Sequence, residues 1–265
     1  MKFALAQINS TTTVSDNLAK LRSYARRAAE AGARFVVFPE ATMSAFGSGL
    51  RGIAAEHTED WQAAVSETAA AADITVIVGE FAVVGDKVVN LLAVYSPEGT
   101  RTEYAKIHLY DAFGFKESDT VEPGDEPAVI DVDGEPIGLA ICYDIRFPKL
   151  FAELSRRGAR LTVVSASWGA GAGKVEQWQI LARARALDSN MFLAALGQAD
   201  PEVSGVEVPK NGPTGVGHSL VSDPFGRVLA QLEGDEALEI VDLDLAGADK
   251  AAEAIPVLAN AKLGY

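Results

Sequence analysis

The chain has 265 residues, 48% of them hydrophobic, which is enough to bury a large core, and its net charge of -14 repels phosphate and argues against nucleic-acid or anionic-membrane binding. One cysteine excludes an intramolecular disulfide framework and fits a reducing cytoplasm; Met1 to Ser10 lacks the basic region and long apolar stretch of a signal peptide, and no apolar run is long enough to span a bilayer. The apolar positions are evenly spread and no Pro, Gly or Ser-rich linker separates two halves, so one domain over residues 1–265 is expected.

In chain order, Phe3 to Ile8 reads as a strand and Asp16 to Ala31 as an amphipathic helix stopped by Gly32. Arg34 to Phe38 is a buried strand ended by Pro39-Glu40, and this β-α-β start implies a right-handed crossover in a mixed α/β sheet. Glu56 to Ala72 reads as a second helix. Ile74 to Phe81 and Val88 to Tyr95 read as strands joined through Gly85-Asp86, and Thr100 to Ile107 as the next strand after the Ser96 to Gly99 turn. Asp111 to Pro127 is irregular. Ile137 to Ile141 is a strand followed by a helix from Phe147 to Arg157, and then Leu161 to Ser167 and Met191 to Leu196 are strands flanking a helix from Val175 to Leu187. Asn211 to Gly217 reads as a loop, and His218 to Asp223, Arg227 to Leu232 and Leu238 to Leu243 supply further strands. The weakly patterned tail after Ala246 is expected to pack on a partner subunit.

Four positions carry chemistry. Cys142 lies on a sharp strand-to-helix turn, where a thiol stands clear of the sheet edge beside the backbone N–H groups of the next turn. A lone free cysteine is commonly just a small buried hydrophobe, so the other residues decide its role. Glu40 follows a buried strand at its carboxyl end, where open α/β sheets place ligand sites and a partly desolvated carboxylate can serve as a general base. Lys106, at a strand end, would lower the thiol pKa and stabilise an oxyanion if it lay beside Cys142. Glu117, in the irregular segment, is a candidate second carboxylate to position Lys106 or the substrate. The glycines 169, 171 and 173 before Lys174 fail as a phosphate-binding loop. Trp168 stands where its first Gly belongs and Val175 offers no hydroxyl for magnesium, so the stretch reads as a flexible pocket wall. His57, His108 and His218 lack metal-ligand spacing, which disfavours a metallohydrolase.

Taken together, Phe38-Pro39-Glu40, Lys106-Ile107-His108-Leu109, the run Gly138 to Pro148 around Cys142, Arg183-Ala184-Arg185-Ala186, Gly217-His218-Ser219 and Asp223-Pro224-Phe225-Gly226 resemble the nitrilase (carbon-nitrogen hydrolase) superfamily over nearly the whole chain. The resemblance implies a four-layer αββα sandwich of two mixed sheets, a homodimer joined through helices, and no metal or organic cofactor. It implies Cys142 as nucleophile, Glu40 as the acid–base group, Lys106 with the Tyr143 backbone N–H as oxyanion donors, and Glu117 in support. The run Glu117 to Thr120 with Pro123-Gly124-Asp125, the Lys106 to Leu109 segment and Cys142 to Pro148 further resemble the Nit branch, which includes ω-amidases and deaminated-glutathione amidases. A carboxylate-bearing small amide is therefore the expected substrate, with Arg146, Lys149 or Lys174 to pair with its carboxylate and Trp168 in the pocket wall; Lys149 reads more simply as a surface cation. Ala105, Tyr110 and the wall from Ser165 to Gly173 depart from the branch pattern, which leaves a nitrilase and an N-carbamoyl amidohydrolase open beside the amidase. A non-catalytic interaction module is the remaining alternative, although Glu40, Lys106 and Cys142 are all present.

Overall fold

A computed structural model describes residues 1–47, 49–112, 114–208 and 212–262. Phe113 of the irregular segment and Asn211 of the expected loop thus lie outside the described residues. The first half of the chain builds one sheet. β1 (Lys2–Gln7), β2 (Phe35–Val37) and β3 (Thr75–Val84) run parallel, with α1 (Val14–Glu30) and α2 (Leu50–Ala72) as crossovers. β4 (Lys87–Tyr95) and β5 (Arg101–Ala105) return antiparallel, the first through the tight Gly85-Asp86 turn in which Gly85 takes a φ of 57°. β6 (Asp111–Ala112) and β7 (Phe115–Lys116) pair with each other, and β8 (Val121–Glu122) runs beside β4.

The second half repeats the plan. β9 (Val129–Val132) forms a hairpin with β10 (Glu135–Ile141), which continues in parallel to β11 (Leu161–Ala166) and β12 (Phe192–Gly197) through α3 (Pro148–Arg156) and α4 (Lys174–Ser189). After the short α5 (Pro201–Ser204), β13 (Leu220–Ser222) and β14 (Val228–Gln231) extend that sheet antiparallel. β15 (Ala237–Asp242) then crosses back to pair with β1, and α6 (Ala246–Ala254) and α7 (Val257–Asn260) follow.

The side-chain period of two along a strand explains the layering. On β1, Phe3 and Leu5 face the second sheet and join the core of Ile137, Leu139, Ile141 and Val163, whereas Ala4 and Ala6 face outward onto Leu21, Ala25 and Ala28 of α1 and Trp61 and Val65 of α2. On the far side Leu150, Phe151 and Leu154 of α3 and Trp178, Ala182 and Ala186 of α4 cover the second sheet. The order is helix, sheet, sheet, helix, as expected. β11 and β12 are buried along their whole length, which is why they read as largely apolar runs, broken in β11 only by the small Thr162 and Ser165.

Some boundaries differ from expectation. The second helix starts at Leu50 rather than Glu56, because Ala54 continues its buried face and Gly52 falls on the exposed one. β9 has no counterpart in the expected elements, although Val129, Ile130 and Val132 before Asp133-Gly134 carry a hairpin signature. Cys142 sits on the expected strand-to-helix turn, and the helix beyond it starts one residue later than Phe147. A 3₁₀ turn over Cys142–Arg146 intervenes, and α3 begins at Pro148, as suits proline in a first helical turn. Of the tail after Ala246, α6 buries Ala248 and Ala251 on its own chain, with Ala248 in the core of the second sheet, and α7 buries no residue there.

Candidate active site

Three strand ends deliver the polar residues. Past β2, the Pro39 carbonyl accepts from the Thr42 hydroxyl at 2.7 Å and from the Gly79 N–H at 3.2 Å, and the Glu40 carbonyl accepts from Gln198 Nε2 at 2.9 Å. Gly79 has to be glycine, since a Cβ there would meet Glu40 Cα and Ala41 N at 2.7 Å. Past β5, Lys106 is fixed through its backbone, its N–H donating to the Asn90 carbonyl at 3.0 Å and its carbonyl accepting from Gly124 N–H at 2.8 Å. Past β10, Cys142 adopts a left-handed φ of 46°, a strained conformation for a residue with a side chain. Asp144 holds that turn. Its Oδ2 accepts from Ile141 N–H at 2.9 Å and the Tyr104 hydroxyl at 2.8 Å, and its Oδ1 from His108 N–H at 3.0 Å, tying the cysteine turn to the lysine segment.

These ends converge. Lys106 Nζ donates to Glu40 Oε1 at 2.9 Å and to Glu117 Oε1 and Oε2 at 3.0 and 2.9 Å, all three side chains being almost wholly buried. An ammonium has three N–H groups, so with one turned to each carboxylate a third remains for the cavity. Glu40 Oε1 also accepts from Asn90 Nδ2 at 2.8 Å and Oε2 from Ser167 N–H at 2.8 Å; Glu117 Oε2 accepts from Tyr110 N–H at 2.7 Å. The Cys142 thiol donates to the Ser167 carbonyl at 3.9 Å and lies close enough to the Glu40 carboxylate to feel its charge.

The electrostatics correct one expectation. Burial, and next the Glu40 carboxylate, push the Cys142 thiol well above its ordinary pKa; Lys106 pulls it down and is outweighed. The sulfur therefore rests as a thiol, and its proton has an acceptor beside it in Glu40. Burial also opposes the charge on Lys106, but Glu40, Glu117 and Cys142 together outweigh that and keep it an ammonium.

The four groups open on a cavity of about 50 Å³ with Phe46, Tyr110, Phe115, Tyr143 and Trp168 as apolar walls. Arg146 and Lys174 stand at the same cavity. The Arg146 guanidinium lies 5.1 Å over the Trp168 ring and donates to Gln177 Oε1 at 2.9 Å, Lys174 Nζ lies 6.0 Å from that ring, and Trp168 Nε1 donates to the Lys174 carbonyl at 3.0 Å. Lys149 is exposed and does not line the cavity. Gly124 and Asp144 entered the sequence reading only inside longer motifs, without a role, and Asn90, Gly79 and Gln198 were passed over. Of these only Asn90 carried a signal, as a polar residue inside the apolar run of a strand.

A carbon-nitrogen hydrolase family model matches residues 2–253. The chain belongs to the carbon-nitrogen hydrolase family. It is similar to a Mycobacterium tuberculosis protein named as a hydrolase, 51% identical over 98% of this chain and 95% of that one. It is also similar to human omega-amidase NIT2, 33% identical over 97% of this chain and 93% of that one. Among solved structures, an amidase from Nesterenkonia sp. AN1 superposes with a TM-score of 0.82 at 25% identity, covering 94% of this chain and 95% of that chain. Saccharomyces cerevisiae Nit3, of the nitrilase superfamily, does so with a TM-score of 0.82 at 25% identity, covering 97% and 94%. This carbon-nitrogen hydrolase is thus a Nit-like member of the nitrilase superfamily and a hydrolase of amides. Among its described residues no helix is long and apolar enough to cross a membrane.

Proposed function

We propose that the protein is a single-domain, cytoplasmic, homodimeric amidohydrolase that releases ammonia from the terminal amide of a small acid bearing a carboxylate, in the manner of an ω-amidase. The observation that supports this most is that Glu40, hydrogen-bonded to Lys106, lines one cavity together with the Cys142 thiol, whose electrostatics it dominates after burial. As Cys142 Sγ attacks the amide carbon, Glu40 takes the thiol proton, and the oxyanion is held by the remaining Lys106 N–H and the Tyr143 backbone N–H. Collapse of the tetrahedral intermediate returns the proton from Glu40 to the departing nitrogen, ammonia leaves, and a thioester remains. Glu40 then deprotonates a water that attacks the thioester, giving the acid and the free thiol. Glu117, accepting two of the Lys106 contacts, keeps the ammonium in place. The apolar walls suit a short acyl chain, and Arg146 and Lys174 beside Trp168 supply two cations for its carboxylate.

The test is ammonia release from a panel of ω-amides of dicarboxylic and 2-oxo acids, matched nitriles and ureido acids. Turnover of ω-amides alone is expected, with Cys142→Ala folded and inactive, because losing a thiol at a turn removes little packing. Turnover of nitriles or ureido acids instead would replace the substrate class, and an active Cys142→Ala would end the mechanism.

A further inference from the structure

The inward row of β4 is apolar except at one position. Val88, Leu92 and Val94 are buried on alternate residues, and Asn90 sits among them with 0% exposure. A buried amide in such a row is destabilising unless its polar atoms are used. Asn90 Nδ2 donates to Glu40 Oε1 at 2.8 Å and reaches Glu117 Oε1 at 3.3 Å, while its backbone carbonyl fixes the Lys106 N–H at 3.0 Å. Its Oδ1 is buried without a partner among the described residues, so there only the donor half of the amide is in use.

Charge explains why a donor belongs there. The titratable groups facing Glu40 are Lys106 past β5, Glu117 on its 3₁₀ turn and Cys142 past β10. Two carboxylates against one ammonium leave an excess of negative charge in a buried site, the condition under which one acid takes up a proton. A neutral donor offsets that excess without bringing a cation to compete with Lys106. We infer that Asn90 is a positioning residue whose side-chain amide holds the Glu40 and Glu117 carboxylates on either side of Lys106, so that Glu40 can receive the Cys142 proton. The inference rests on the acid–base role proposed for Glu40 above.

Asn90→Val gives the position the apolar character of its row and removes the donor; Asn90→Ser keeps a shorter donor. Without the amide the site loses a donor that offsets its excess negative charge, and the acid limb of the kcat/KM profile moves up by about one pH unit. Activity on that limb drops about tenfold and recovers at alkaline pH, with Asn90→Ser in between. Iodoacetamide alkylation of Cys142 over the same pH range reads the same shift with no substrate. A purely structural role lowers activity equally at every pH and leaves the alkylation limb where it was, and that result in a folded variant overturns the inference. If Asn90→Val does not fold, Asn90→Ser decides alone. Should the wild type turn over no amide while the alkylation limb still moves, the proposed reaction fails and the role of Asn90 stands.

Discussion

Lys106→Met removes the only positive charge between two buried carboxylates while nearly keeping the side-chain volume. In the wild type Nζ donates to Glu40 at 2.9 Å and to both oxygens of Glu117 at 2.9 and 3.0 Å. Without it, two carboxylates bridged by Asn90 cannot both stay charged out of water, so the folded variant takes up a proton that the unfolded chain does not. Protonating an ordinary glutamate at pH 7 costs about 3.7 kcal/mol, inside the range of about 3–5 kcal/mol by which a buried ion pair destabilises when it loses one partner. At pH 5 the same protonation costs only about 1 kcal/mol. The sign follows. The destabilisation is full at pH 7 and shrinks as pH falls, so the stability gap between wild type and variant closes by about 2.7 kcal/mol between pH 7 and pH 5. Urea unfolding followed by tryptophan fluorescence at both pH values measures it. An equal gap at the two pH values would refute the claim that Lys106 neutralises a charged pair, whatever happens to activity.

Two further outcomes follow from the packing. In Gly79→Ala the new Cβ would press on Glu40 Cα and Ala41 N at 2.7 Å, so the strand exit that carries Glu40 has to move. A displacement of this kind lowers kcat by about 10²-fold with a folded protein, and a wild-type kcat would show that Gly79 does not set the position of Glu40. On α4, burial pushes the Asp188 carboxyl up to about 6 against the pull of Arg185. A raised acid contributes stability that is full below its unfolded value near pH 4 and lost as pH rises through about 6. Asp188→Asn therefore raises stability at pH 7.5 by about 1 kcal/mol, a modest gain because the side chain is 34% exposed, and changes nothing at pH 4. Thermal melts at the two pH values check it, and a variant less stable than wild type at pH 7.5 would mean that the Arg185 contact outweighs burial.

The alternation of strands and helices was legible because β1, β2, β10, β11 and β12 are largely apolar runs punctuated by turns; Glu40 and Cys142 were legible because each stands directly after such a run, and Lys106, after the more polar β5, only as a cation at a strand end. The 3₁₀ turn at Cys142 was not. What stabilises it is Asp144, whose partners Tyr104 and His108 come from the lysine segment, so no local pattern around the cysteine reports it. Asn90 escaped for a related reason. A single polar residue in a strand looks like a tolerated interruption until the two glutamates beneath it are placed.

The direction of the thiol pKa shows what a linear reading lacks. Residue types alone suggest that a lysine near a cysteine yields a thiolate, and Lys106 does pull that way. The outcome depends on which charge lies nearer and how much water is excluded, and both are set by two sheets meeting face to face. Glu40 comes from the end of β2 in one sheet, Cys142 from the end of β10 in the other, and Ser167, past β11, hydrogen-bonds the first while facing the second. On the mechanism proposed above, a sulfur that keeps its proton until substrate arrives needs its base within reach at every moment. It is the contact between the sheets, sealed by Ser165 Oγ donating to the Phe38 carbonyl at 2.9 Å, that supplies this reach. Loosening the sheet contact should therefore impair proton transfer before it unfolds either sheet.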